Sequence, residues 1–236
     1  MEFFISGTDT GIGKTVLSAL ICRYYVDKGL KTAYYKAIQT GAIKKNNGLG
    51  SGDVDFVQNF SRAKGYSSLL FKKPASPHYA SELENREIIL EKLLSDYRSI
   101  ATQHEVVISE GAGGLFVPLD RKGTTMGHLC REMGVPLILA GRAGLGTINH
   151  SALSLNYAKM LGIDRQAVFL FSDAKDPSNL ELELDNVSML KELFGIKHIY
   201  RLPLVFGVDV DKMCFGQMEG LYHDFTELVK EKDDLF

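Results

Sequence analysis

Short runs of consecutive apolar residues alternate along this chain with longer stretches of helical period. The short runs are Phe3–Ser6, Thr32–Lys36, Val106–Glu110, Leu137–Ala140, Val168–Ser172 and, with a looser pattern, His198–Leu202. They are apolar at successive positions and rich in β-branched and aromatic types, which is how strands covered on both faces of a parallel sheet read. Helical spacing is predicted over Thr15–Lys28, Glu84–Thr102, Thr125–Met133, Asn149–Leu161, Val187–Phe194 and the acidic, amphipathic Glu219–Phe236. In four of these the next residue is glycine (Gly29, Gly134, Gly162, Gly195), the usual left-handed terminator of a helix. Strand and helix in alternation with short connections predict an α/β fold, a doubly wound and mainly parallel sheet with helices on both faces. No linker or repeat interrupts the pattern, so residues 1–236 are expected to form one domain. Lys44–Gly52 (KKNNGLGSG) reads as a surface loop.

Composition narrows the function classes. Lys and Arg number 27 and Asp and Glu 29 in 236 residues, a net charge of -2. A nucleic-acid binder would show a basic excess, and none is expected as a partner. No run approaches the roughly 18 apolar residues of a membrane span. The first residues, MEFFISG, lack the charged start and apolar length of a secretion signal, so a cytoplasmic location is expected. Cys22, Cys130 and Cys214 are scattered, without the pairing of a disulfide or zinc framework. They read as small buried hydrophobes.

The first strand runs into Gly7-Thr8-Asp9-Thr10-Gly11-Ile12-Gly13-Lys14-Thr15, and a helix follows at once. Strand, glycine-rich turn, Gly-Lys-Thr and helix are the context of a P-loop. Amide groups at the helix start attract phosphate, and glycines let the main chain wrap it closely. In such a loop Lys14 would supply charge to the β- and γ-phosphates and Thr15 a hydroxyl to Mg²⁺. The usual spacing puts the first glycine at position 8, where this chain has Thr8; its glycine comes one residue earlier. A glycine-rich turn that binds nothing is the competing reading.

P-loop enzymes hold Mg²⁺ with an acid at the end of a neighbouring strand. Glu110 ends the third apolar run, before Gly111-Ala112-Gly113-Gly114, which reads as a turn open to substrate or phosphate. Asp53 opens a helix after the loop; acids are common there for local reasons, and spacing leaves its role open. Lys36 by itself reads as a strand-end lysine reaching solvent.

Taken together, GTDTGIGKT (7–15), YKAIQTG (35–41), Ser76-Pro77-His78, Glu110-Gly-Ala-Gly-Gly and Leu145-Gly146-Thr147-Ile148-Asn149-His150 resemble the dethiobiotin synthetase family. The blocks stand in the family's order over residues 1 to 160, and the early glycine is the family's own variant. The resemblance implies that CO₂ (from bicarbonate) adds to an amine of 7,8-diaminononanoate. The carbamate is phosphorylated by ATP, and the second amine closes the ring of dethiobiotin. It implies Lys36 and Lys14 as catalytic cations, Thr15, Asp53 and Glu110 as Mg²⁺ ligands, and Thr10, Gly11, Ile12 and Gly13 around the phosphates with Gly111, Ala112 and Gly113 nearby. It implies Thr10, Lys36 and Thr40 at the substrate, and a homodimer in which Gly146, Thr147, Ile148 and Asn149 of the partner hold the substrate carboxylate. His78 and His150 take no acid–base role.

Ala37 stands where the family has proline, and Ser172-Asp173 where it reads adenine with Asn-Asp. Serine cannot present both an amide donor and a carbonyl acceptor, so weak base discrimination is expected. Three rival readings use the same P-loop, one of them a non-catalytic nucleotide-binding regulator that only an activity assay excludes. An amidating synthase needs a glutaminase domain for which 236 residues leave no room. A partitioning-type ATPase switch carries an extra lysine where this chain has Thr8, and a membrane- or DNA-binding element that is missing from the acidic C-terminal stretch.

Overall fold

The computed structural model describes residues 1–46, 48–172, 179–203 and 216–230. Strands β1 (Glu2–Gly7), β2 (Thr32–Thr40), β5 (Lys64–Phe71), β6 (Val106–Gly114), β7 (Leu137–Arg142), β8 (Gln166–Phe171) and β9 (Ile199–Leu202) form one sheet in the order β5-β2-β6-β1-β7-β8-β9. Every pairing in it is parallel. β3 (Ile43–Lys45) and β4 (Gly48–Gly50) form a separate antiparallel pair.

Burial on both faces explains the unbroken apolar runs. Phe3 and Ile5 point into a core shared with α1 (Lys14–Asp27), α2 (Gly52–Ser61) and α8 (Met218–Lys230). Phe4 points the other way, into a core with α4 (Leu90–Ala101) and α5 (Met126–Met133). α6 (Thr147–Met160) and α7 (Leu180–Phe194) extend that second layer over Leu139, Val168 and Leu170. A short helix, α3 (Pro77–Leu83), precedes α4. The four terminating glycines all take positive φ, from 63 to 81°, as their positions required.

Four expectations are corrected. The stretch 44–52 is no loop: its flanks pair as β3 and β4, and Gly52 begins α2. The helix expected from Glu84 starts only at Leu90, since Ile89 is extended. Strand β5 had no sequence signal because as an edge strand it is largely half-buried and mixes polar with apolar residues. Finally, Gly111–Gly114 is not a turn. β6 continues through it, with a register shift against β1 between Ile5 and Gly7. Gly113 takes φ 69° there, and a side chain on it would meet Val117.

Candidate active site

Sheet order reverses at β1: β6 and β2 lie to one side of it, β7 to β9 to the other. The carboxyl end of such a reversal is where open α/β sheets bind ligands. A cleft of about 850 Å³ opens there.

The loop after β1 forms one wall. Gly13, at the start of α1, is left-handed with φ 96°, and a Cβ on it would lie 2.7 Å from the Phe171 ring. Gly7 is needed as well: its Cβ would come 2.9 Å from the Asp9 carbonyl oxygen, so the early glycine fits the loop's own path. Lys14 is buried, and its Nζ donates to that carbonyl oxygen at 2.7 Å. Burial is the main cause that brings the Lys14 ammonium down to about 8.

The same cleft holds a charged cluster assembled by strand register. Lys36 of β2 lies directly across from Glu110 of β6. Lys36 Nζ is 2.7 Å from Glu110 Oε1 and 2.6 Å from Asp53 Oδ2. It also donates to the Gly111 carbonyl oxygen at 3.4 Å. Glu110 is fully buried and Lys36 nearly so. Burial alone would lower the Lys36 ammonium, but the two carboxylates outweigh it and hold it above its ordinary value. Burial likewise opposes ionisation of Glu110, yet Lys36, with the Ser18 hydroxyl and the Lys14 charge, holds the carboxyl below its usual range. Lys36 is therefore not a strand-end lysine in solvent, because β2 runs four residues past it.

Asp53 gets there through α2. Ser51 caps that helix by accepting the Val54 amide at 3.1 Å, which sets Asp53 in the first turn facing Lys36. Thr15 completes the group, donating to Glu110 Oε1 at 3.0 Å. The oxygens of Asp53 and Glu110 thus converge on one ammonium, with the Thr15 hydroxyl on the same Glu110 oxygen. Among the described residues no cluster of three His, Cys, Asp or Glu exists; this set is two carboxylates and a hydroxyl. Two residues that the sequence reading missed also touch Glu110. Ser18 Oγ donates to its Oε2 at 2.7 Å and Tyr34 OH at 2.8 Å. A signal existed: Ser18 is one helical turn beyond Lys14, and Tyr34 is two residues before Lys36, on the same strand face.

Residues 1–209 match the family model described as AAA domain, AAA_26. The ATP-dependent dethiobiotin synthetase BioD of Clostridium perfringens is 34% identical over 226 residues, 93% of this chain and 97% of that protein. The BioD of Clostridium acetobutylicum is 34% identical over 86% of this chain and 85% of its own. The chain belongs to the dethiobiotin synthetase family. Likeness to solved structures adds the fold alone. MinD of Aquifex aeolicus superposes with a TM-score of 0.59 at 11% identity, over 100% of this chain and 99% of that one. A ParA family ATPase from Chlorobium tepidum TLS gives 0.54 at 12%, over 99% and 94%.

The cleft brings together most residues expected of a dethiobiotin synthetase. Thr10 to Thr15, Lys36, Thr40, Asp53, Glu110, Ala112, Gly113 and Ser172 all line it. Gly111 does not; it is inside β6 and only its carbonyl reaches Lys36. Gly146 to Asn149 also lie outside the cleft of a single chain, at the start of α6, where Gly146 takes φ 93°. Asp173 falls outside the described residues. Ser172 is buried, and its hydroxyl donates to Glu183 at 2.8 Å and accepts from Arg201 Nη2 at 2.9 Å. Arg201 Nε also pairs with Glu183. Both cysteines within the described residues, Cys22 and Cys130, are buried and free, as expected.

Proposed function

We propose that this cleft carries out the ATP-dependent closure of dethiobiotin from 7,8-diaminononanoate and CO₂. Membership of the dethiobiotin synthetase family supports the overall reaction. The observation that carries the steps is the buried Lys36, set between two carboxylates and lining one cleft with Gly13-Lys14-Thr15.

In this reading CO₂ adds to one amine of the substrate, which loses a proton to give a carbamate. A carbamate oxygen attacks the γ-phosphorus of ATP, and ADP leaves. The second amine attacks the carbonyl carbon of the resulting anhydride, and phosphate departs. Every species along this path is anionic, so catalysis consists mainly of positioning and charge stabilisation. Amides of Gly11 to Thr15 cradle the phosphates, and Lys14 turns from the Asp9 carbonyl toward them. Lys36 leaves its carboxylates to lie between carbamate and γ-phosphate. Thr10 and Thr40, which both line the cleft, orient the substrate by hydrogen bonding.

Thr15, Asp53 and Glu110 suit Mg²⁺. All three offer hard oxygen donors, and phosphate oxygens and water would complete six ligands. When bound, the ion neutralises charge on the phosphate oxygens. Release of Lys36 frees Glu110 Oε1 and Asp53 Oδ2 for it.

A homodimer completes the substrate site, with Gly146 to Asn149 of α6 offering amides to the substrate carboxylate of the partner. An outward apolar strip supports a second copy: Leu145, Leu153 and Met160 are 92%, 64% and 82% exposed. The whole chain then acts as one P-loop domain. The decisive test supplies labelled bicarbonate, diaminononanoate, Mg²⁺ and ATP. Label is expected in a cyclic urea, with one phosphate released per ring. ATP hydrolysis without labelled product would refute the proposal.

A further inference from the structure

The two oxygens of Glu110 have separate partners. Oε1 accepts from Thr15 and from Lys36, the groups that face the cleft. Among the described residues, Oε2 accepts only from Ser18 and Tyr34, the groups behind it, at 2.7 and 2.8 Å. Tyr34 is fully buried and follows the same face of β2 as Lys36, one pleat deeper in the sheet. A buried phenol seeks a hydrogen-bond partner, and this one is aimed at Glu110 rather than at solvent. Ser18 is also fully buried and comes from α1, so the two donors approach from different elements.

We propose that Tyr34, with Ser18, is a positioning residue for the reaction, clamping Glu110 Oε2 so that Oε1 is the oxygen presented to the metal and to Lys36. The inference rests on the metal role of Glu110 proposed above and adds what holds that ligand in place. A carboxylate free to rotate about its last bond would offer either oxygen, or neither, to an ion. Partners that orient a metal ligand from behind typically govern metal affinity by about 10–100-fold when removed. Both donors act on one oxygen, so their effects are not additive: losing either one already frees the carboxylate to turn.

The test measures binding of Mn²⁺, as a paramagnetic probe, to the full-length protein with ADP present. Tyr34→Phe is expected to weaken Mn²⁺ by at least about tenfold, Ser18→Ala to weaken it comparably, and the double variant by less than the product. Affinity for ADP without metal should stay unchanged. In turnover, Tyr34→Phe should raise the Mg²⁺ concentration needed while saturating Mg²⁺ restores kcat. A purely structural role would lower the melting temperature and leave Mn²⁺ affinity alone; that result overturns the proposal. A crystal structure of Tyr34→Phe without nucleotide reads the same claim with no metal involved. There Glu110 is expected to rotate and lose its Lys36 contact, and an unmoved carboxylate overturns the clamp. If the wild-type complex takes up no Mn²⁺, the metal reading of the site fails, and this crystal structure alone decides whether Tyr34 orients Glu110.

Discussion

Replacing Lys36 with methionine tests whether the charged cluster is held by that ammonium. The substitution keeps most of the side-chain volume and removes the cation from 2.6 and 2.7 Å of two carboxylates. At an effective dielectric of about 20, each contact is worth roughly 6 kcal/mol before the cost of dehydrating the ions. Dehydration offsets much of that, and breaking a buried ion pair by removing one partner typically costs about 3–5 kcal/mol. For a chain of this size that corresponds to roughly 6–20 °C in melting temperature. The pH dependence carries the sharper information. In the wild type Glu110 is held below its usual range. Its contribution is therefore present above the unfolded-state value and is lost as pH falls through the folded one. In Lys36→Met the largest influence on Glu110, burial, acts without the opposing cation and favours the protonated acid. The variant is then most handicapped near neutrality and recovers as the carboxyl takes up a proton. Urea unfolding without metal or nucleotide should show the gap between the two proteins narrowing from about pH 8 to about pH 5. A gap that stays constant or widens on acidification, or one under about 1 kcal/mol at neutral pH, would refute the reasoning.

Nucleotide binding should report Lys14. Burial puts its ammonium at about 8 in the empty site, and a bound triphosphate raises it. Above about pH 8 binding must therefore take up a proton, and ADP affinity should fall, by up to about tenfold per pH unit; calorimetry in buffers of different ionisation enthalpy should detect that uptake, and its absence would remove Lys14 from the phosphate site. Gly13→Ala forces a left-handed residue, costing about 1–2 kcal/mol, and pushes a methyl against Phe171. Lower stability together with loss of ADP binding is expected by thermal shift, whereas a neutral result would mean that the loop has room to move. With Ser172 engaged by Glu183 and Arg201, turnover with CTP and GTP should approach that with ATP, and a large preference for ATP would show that the base is read elsewhere.

Local pattern was enough for much of this molecule. The apolar runs marked six of the seven strands of the main sheet, and the glycines after four helices marked where those helices stop. Gly13-Lys14-Thr15 between a strand and a helix named the phosphate loop, since all its parts are neighbours in sequence. β5 escaped because an edge strand buries too little to impose a pattern. The hairpin β3–β4 escaped because glycine, asparagine and lysine read as loop whatever their pairing.

The charged cluster belongs to the tertiary structure. Lys36 and Glu110 are 74 residues apart and meet only because β2 and β6 pair in one register; a slip of one residue would turn one of them to the opposite face. Tyr34 and Ser18 read as ordinary core positions until that register brings a carboxylate between them. Sequence alone dictated what its near neighbours could form, through propensity and period. Which distant side chains share a buried site was decided by strand order and register, because those follow from how whole layers pack.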